Sequence, residues 1–283
     1  MKLDDNKIIK AFYLKVKTPL HAGAGEGNGK VDCAIQRENY SGLPKVDGFT
    51  WKGALTNNLS EKLRKEIRDE KRKTRLSFSD LKILLFPVKS YDNIYSLVTC
   101  PGVIQRFLDD LFWQNYLKDE DLEKFHCKEK FEGPYAYCWN NKIRKEYETI
   151  GNYRYHIRRA TGENPFLLLK FGNSILDKVR IISDCDFKYL IQQKSEISIR
   201  NKIKIEKDEK KGALFIEEYL PSESILYGFA MESMGIVPSV NEFVLEKIMK
   251  ELKNNKEKIE LQMGKNTTLG KGQVELQEVL KDV

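Results

Sequence analysis

Residues 8–20 (IIKAFYLKVKTPL) alternate between apolar and polar or basic positions, which predicts a strand with one buried face, ending near Pro19. Glycines at 23, 25, 27 and 29 then predict a loop, and VDCAIQRE, from Val31, a second short strand. The turn-rich GLPKVDGFT leads into a helix predicted over about 51–70, in which Leu55, Leu59, Leu63 and Ile67 recur four apart as a buried stripe. SFSDLKILLFPVKSYDNIYSLVTCP reads as an apolar stretch, a proline-containing turn and a strand at 94–100. Helical period returns in GVIQRFLDDLFWQNYL. From 118 to about 171 neither period holds, and the segment reads as irregular. Further on, DKVRIISDCDF predicts a strand, and EISIRNKIKIEKDEKKGALFIEEYLP alternates on both sides of a charged turn as a long hairpin. SILYGFAMES predicts another strand, 241–256 a charged helix and KIELQM a strand. The glycine segment GKNTTLGKGQV closes the chain. Mixed strands and helices without a βαβ rhythm point to an α+β fold. No internal repeat is visible.

At 283 residues the chain is long for one domain and short for two; one core with a large insertion is as consistent as two units. The 49 Lys and Arg against 42 Asp and Glu leave a net charge of +7, which suits a polyanionic partner and is also common on soluble proteins. Its placement says more. Residues 62–75 carry eight basic and three acidic side chains, and 142–160 interleave Arg and Lys with Tyr147, Tyr153 and Tyr155. Cations beside rings contact phosphates and unpaired bases together, as single-stranded nucleic acid requires. Each stretch read alone is equally a solvated charged surface. The five cysteines form no CxxC pair, so reduced thiols in a cytoplasmic protein are expected, and His126 with Cys127 and Cys138 lacks a fourth metal ligand. No apolar run reaches membrane-spanning length and residues 1–10 have no signal-peptide core.

The glycine loop does not carry a nucleotide fingerprint. GxGxxG from Gly23 or Gly25 would need glycine at Asn28 or Lys30; a P-loop ending on Gly29 and Lys30 would need glycine at Ala24 and a hydroxyl at Val31. The second glycine segment has Lys265 where a P-loop begins. DGFTWKGAL is a better anion site: Thr50 as helix cap would set Lys52 and Gly53 in the first turn, with outward amides and room for a phosphate. The plain alternative is a helix start with a glycine of convenience.

In order, TPLHAGAGE, VDCAIQRE, GLPKVDGFTWKGAL, LLFPVKSYDNIYSLVTCPGVIQRF, GALFIEEYLPSESILY and TTLGKGQV resemble the repeated backbone subunit of type III-B CRISPR effectors, the Cmr complexes, within the RAMP superfamily. The resemblance covers most of the chain apart from about 118–171. It implies a ferredoxin-like, RRM-related palm over a single domain 1–283, with an inserted helical or irregular region near 101–175 and a β-hairpin thumb at 195–220. It also implies stacking of copies beside sister Cmr subunits along a guide RNA, and cutting of the paired single-stranded target RNA at regular intervals with Mg²⁺ or Mn²⁺. Asp32 matches the aspartate on which cutting depends and is the expected metal ligand. His21, Glu217 or Glu218, and Tyr219 match further site positions. Expected RNA contacts are Arg37, Lys45, Thr50, Lys52 and Gly53 around the first helix. Arg200 and Lys202 are expected on the hairpin, and Lys265, Gly270, Lys271 and Gly272 in the second glycine segment. Where the family continues Lys-Gly-Ala-Leu-Arg, this chain has Thr56, which removes one phosphate contact.

RNA brings its own nucleophile, the 2′-OH, so no Ser or Cys is needed; the protein must align the phosphodiester and stabilise charge. An aspartate with a reference pKa of about 3.9 is a poor base at neutral pH but a good Mg²⁺ ligand. Asp32 is therefore expected to position metal or 2′-OH and His21 to shuttle a proton, leaving a 2′,3′-cyclic phosphate and a 5′-OH. Two other readings stand beside this: a non-cleaving RNA scaffold, and a metal-independent nuclease that trims guide precursors.

Overall fold

In the computed structural model of the protein, which describes residues 7–25, 31–68, 75–126, 129–139, 145–206, 209–233, 243–253 and 257–280, the alternating first segment forms β1 (Lys7–Val16). The side chains of 201–213 lie outside that description. Residues 31–38 make isolated bridges instead of the expected second strand. Buried polar side chains explain this. Gln36 donates through Nε2 to Gly23 O and accepts from the Asp47 amide, and both oxygens of Glu38 take Arg106 Nη1 at 2.8 Å. The segment is thus laced to its neighbours through side chains as much as through backbone.

After β2 (Lys45–Val46), the predicted helix is two: α1 (Gly48–Asn57) and α2 (Glu61–Arg68). Leu55, Leu59 and Leu63 keep the buried stripe across the break. α1 starts earlier than expected, with Asp47 at its N-cap, so Thr50 is a first-turn residue whose amide donates to Asp47 O and not the cap. Lys52 and Gly53 consequently lie beyond the turn whose amides point outward.

β3 (Arg75–Phe78), β4 (Leu81–Lys89) and β5 (Tyr95–Thr99) precede α3 (Pro101–Trp113). Pro87 is inside β4 and not in a turn; it faces Leu97 of β5 at a point where the strand's other pairing has ended, so its missing N–H costs no ladder bond. The stretch expected to be irregular holds α4 (Asp119–Phe125), β6 (Tyr135–Cys138), β7 (Tyr147–Ile150) and β8 (Tyr153–Arg159). α5 (Asn173–Leu176) and β9 (Val179–Ile181) follow, then α6 (Asp184–Lys194), a helix whose N-cap Ser183 accepts from the Asp186 amide. The hairpin is β10 (Glu196–Glu206) with β11 (Glu209–Tyr219), and β12 (Ile225–Ser233), α7 (Val244–Lys253), β13 (Ile259–Gln262) and β14 (Gln273–Glu278) complete the chain.

Among the described residues a twelve-stranded mixed sheet runs β13-β14-β1-β12-β4-β5-β9-β6-β8-β7, with β2 beside β4 and β3 beside β12; β10 and β11 form their own two-stranded ribbon. Most pairs are antiparallel, while β5 with β9 and β6 with β8 are parallel. The fold is α+β, as the mixed pattern predicts. β4 and β12 are buried along nearly their whole length, with α3 and α6 packed on β4 and α7 on β12. Trp51 anchors α1 in this core, edge-on to Phe12 and Phe78, its Nε1 donating to Ser79 O at 2.9 Å.

Candidate active site

Four stretches of chain meet at the base of the β10–β11 ribbon. Leu20 and Leu220 exchange backbone hydrogen bonds at 2.9 and 2.8 Å, which brings the first glycine loop to the end of β11. Residues 32–35 run beside β11: the Cys33 amide donates to Ile216 O, and the Glu218 amide donates to Cys33 O. The 264–272 loop closes the group, with the Lys265 amide donating to His21 O and the Gly272 amide to Pro19 O. Gly264 and Gly272 have positive φ, and a Cβ on them would stand 2.4 Å from His21 O and 1.9 Å from Met263 O. These two glycines are required by packing of the loop against its neighbours.

Asp32 sits on this platform with its side chain exposed, and its Oδ2 accepts from the Ile216 amide at 2.7 Å. That bond sets the carboxylate at the point where the ribbon leaves the main body. Beside it, Lys265 Nζ lies 3.6 Å from Cys33 Sγ and keeps about half of its side chain in solvent.

The other expected site residues are buried. Glu217 accepts from Tyr219 OH at 2.6 Å and Asn266 Nδ2 at 2.9 Å, and pairs with Arg200 Nε at 3.0 Å. Its Oε1 is 3.0 Å from Lys265 Nζ, an ionic contact whose angle falls short of a hydrogen bond. Burial alone would raise this carboxyl, but the Tyr219 hydroxyl, Lys265 and Arg200 outweigh it and hold it below the usual carboxylate range. Burial, then the Glu217 charge, push the Tyr219 phenol up to about 12, so it stays protonated and donates. Glu218 binds Arg37, and its Oε2 accepts from the Ile35 amide at 3.1 Å. His21 is buried edge-on to Tyr219, and its Nδ1 is 2.7 Å from Glu218 O. A carbonyl only accepts, so Nδ1 carries the proton, while Nε2 faces Gly23, where a Cβ would come within 2.9 Å. In this geometry His21, Glu217, Glu218 and Tyr219 hold the platform together and Asp32 presents outward.

The expected RNA contacts divide in the same way. Lys45 is bound by Asp47 and Asp80, Lys52 Nζ donates to Leu76 O, and Arg37 donates to Gly42 O and Ser195 Oγ besides Glu218. Arg200 is drawn in by Glu217, whereas Lys271 sits over the Tyr219 ring at 4.9 Å and 3.4 Å from Glu196. Gly53 has open space where a Cβ would lie, as does Gly270. The side chain of Lys202 is outside the described residues, as is Cys127. Asn266 escaped the sequence reading. Its left-handed φ of 64° aims Nδ2 at both Glu217 and Tyr219, and the available signal was an asparagine inside a Gly-Lys-Asn turn.

Among the described residues no three His, Cys, Asp or Glu side chains come together around a metal. The single hard oxygen donor that Asp32 exposes fits a divalent ion shared with RNA, since Mg²⁺ commonly takes one or two carboxylates with substrate phosphates and water. No helix among these residues is long and apolar enough to cross a membrane.

Comparison with known proteins points in one direction. A family model described as the RAMP superfamily matches residues 13–275. The chain is 30% identical to the CRISPR system Cmr endoribonuclease Cmr4 of Pyrococcus furiosus, over 97% of each protein. It superposes on a crystal structure of oligomeric Cmr4 from Pyrococcus furiosus with a TM-score of 0.69 at 25% identity, covering 97% of this chain and 98% of that one. A cryo-EM structure of the type III-B Cmr-beta complex bound to cognate target RNA has a chain of the same fold, with a TM-score of 0.70, 17% identity, and 96% and 97% coverage.

Proposed function

The chain belongs to the RAMP superfamily, and from that premise we propose that it is a repeated backbone subunit of a type III-B CRISPR effector that binds guide RNA and cuts the complementary target RNA. In this reading the main sheet with its helices is a ferredoxin-like palm, the β10–β11 ribbon is a thumb, and further copies stack beside other Cmr subunits. The name of the endoribonuclease relative and its coverage along the whole chain support cleavage of RNA.

The observation that carries the reading is Asp32: beside the buried His21, Glu217, Glu218 and Tyr219 it is the expected catalytic residue that is exposed, pinned to β11 where the ribbon departs. An RNA strand bent at that ribbon would bring one sugar–phosphate linkage to the carboxylate. The 2′-OH attacks the adjacent phosphorus, the P–O5′ bond breaks, and the products are a 2′,3′-cyclic phosphate and a 5′-OH. Asp32 orients the attacking hydroxyl, and Lys265 places positive charge next to the phosphate where negative charge develops. Mg²⁺ or Mn²⁺ held by Asp32 and the RNA would supply further charge neutralisation. His21 and Glu217 act on the reaction by fixing the loops that carry Asp32 and Lys265.

The test is cutting of a complementary RNA by the assembled complex. Asp32→Ala is expected to lower the rate by about 10²-fold or more while RNA still binds, and EDTA to do the same to the unsubstituted complex. Undiminished cutting under both treatments would leave this mechanism without support.

A further inference from the structure

At the β7 end of the main sheet, β8 lies between β6 and β7, and its alternate residues face different worlds. Tyr155 is buried toward α6, where its hydroxyl lies 3.3 Å from Asp186 Oδ2. On the other face, His156 stands in register with Tyr135 on one neighbour and Tyr147 on the other, its ring centroid 5.7 and 4.0 Å from theirs. Arg158 lies 3.5 Å over the Tyr135 ring and Arg154 4.1 Å over the Tyr147 ring. The result is a continuous strip, Arg158–Tyr135–His156–Tyr147–Arg154, running across three strands.

Both arginines are exposed, and among the described residues neither has an ion-pair partner; Glu146 lies 3.9 Å from His156 Nδ1. Their neighbours are treated differently. Arg180 is neutralised by the buried Glu148 and Lys145 by Asp92. Stacked guanidinium groups keep one planar face and several N–H donors outward, and rings on a sheet at strand spacing accept bases one after another.

We propose that this face of β6, β7 and β8 is a second RNA-binding surface, which takes a single-stranded segment by stacking bases on the strip and pairing phosphates with Arg154 and Arg158. Choosing RNA from among polyanions rests on the function proposed above; the strip itself does not.

The experiment uses the full chain and a fluorescein-labelled oligouridine of about twelve nucleotides, with anisotropy followed across a salt series. The double variant Arg154→Ala/Arg158→Ala is expected to bind about tenfold more weakly at low salt, with a log–log salt slope shallower by about 1.4, the share of two phosphates on a single strand. Tyr147→Leu should weaken binding by a similar factor and leave the slope unchanged. With 4-thiouridine in the RNA, photocrosslinks should map to peptides that carry 135–138 or 145–159. Circular dichroism and thermal unfolding check that the variants fold. Unchanged affinity and slope in the folded double variant, with crosslinks elsewhere, would overturn the proposal. So would a defect confined to capture by other protein subunits, which would make the face a protein contact. If the unsubstituted chain binds no RNA at all, the proposed function falls with it; binding that the variants leave untouched removes this surface alone.

Discussion

Glu217 shows how little a residue type says about its role before its neighbours are known. The sequence marks it as a site acid, and the structure encloses it with two cations, a phenol and an amide. Removing such a carboxylate leaves Lys265 and Arg200 without their counter-charge, and Glu217→Ala is expected to destabilise the fold by about 3 kcal/mol, read by chemical denaturation. The pH dependence follows from its lowered pKa. In the unfolded chain this carboxyl titrates near its ordinary 4.5 and in the folded chain lower, so its contribution is complete above 4.5 and is lost as pH falls through the folded value. The acid limb of the stability curve should therefore be flatter in Glu217→Gln than in the unsubstituted protein. Asp32 is the converse case. Its type and place in the VD pair were readable, and its exposure was decided by an amide of residue 216, far away in the chain.

Among elements, the two glycine segments separate conformation from function. Gly272 has φ +74° and the Met263 carbonyl against it, so Gly272→Ala is expected to cost about 2 kcal/mol or more and to lower the melting temperature. Gly53 is inside α1 with nothing near its missing side chain; Gly53→Ala should raise stability by about 0.5–1 kcal/mol. A simultaneous loss of guide-RNA affinity in that variant would locate close RNA approach at this turn, and retained affinity would place the RNA elsewhere. The β10–β11 ribbon was readable from its period of two. That period also sets Ile197, Ile199 and Leu214 on one face, and these remain exposed. Where DKVRIISDCDF predicts strand through residue 187, β9 stops at Ile181 and α6 begins at Asp184; Ser183, three residues before Asp186, is the cap signal. The short helical break at 58–60 likewise left the leucine stripe intact and so left no mark on the periodicity.

Across the whole molecule, the stretch without clear period turns out to extend the sheet. Ala136, Ile150, Tyr155, Phe166 and Leu169 belong to the same apolar core as β4 and β12, and Arg180 of β9 pairs with Glu148 of β7 within it. Calorimetry is expected to show one cooperative transition, and a chain lacking 129–160 to lose that transition instead of retaining a stable remainder. Two separate transitions would mean an independent insertion. The sequence by itself determined the α+β class, the hairpin, the helix stripes and the family, because period, turn chemistry and motif order are local properties carried along the chain. Tertiary structure alone decided that Asp32 faces solvent while Glu217 and His21 are enclosed, and that 135–159 joins the sheet. Those outcomes depend on contacts between residues as far apart as 32 and 216, whose energies have no counterpart in any short window of sequence.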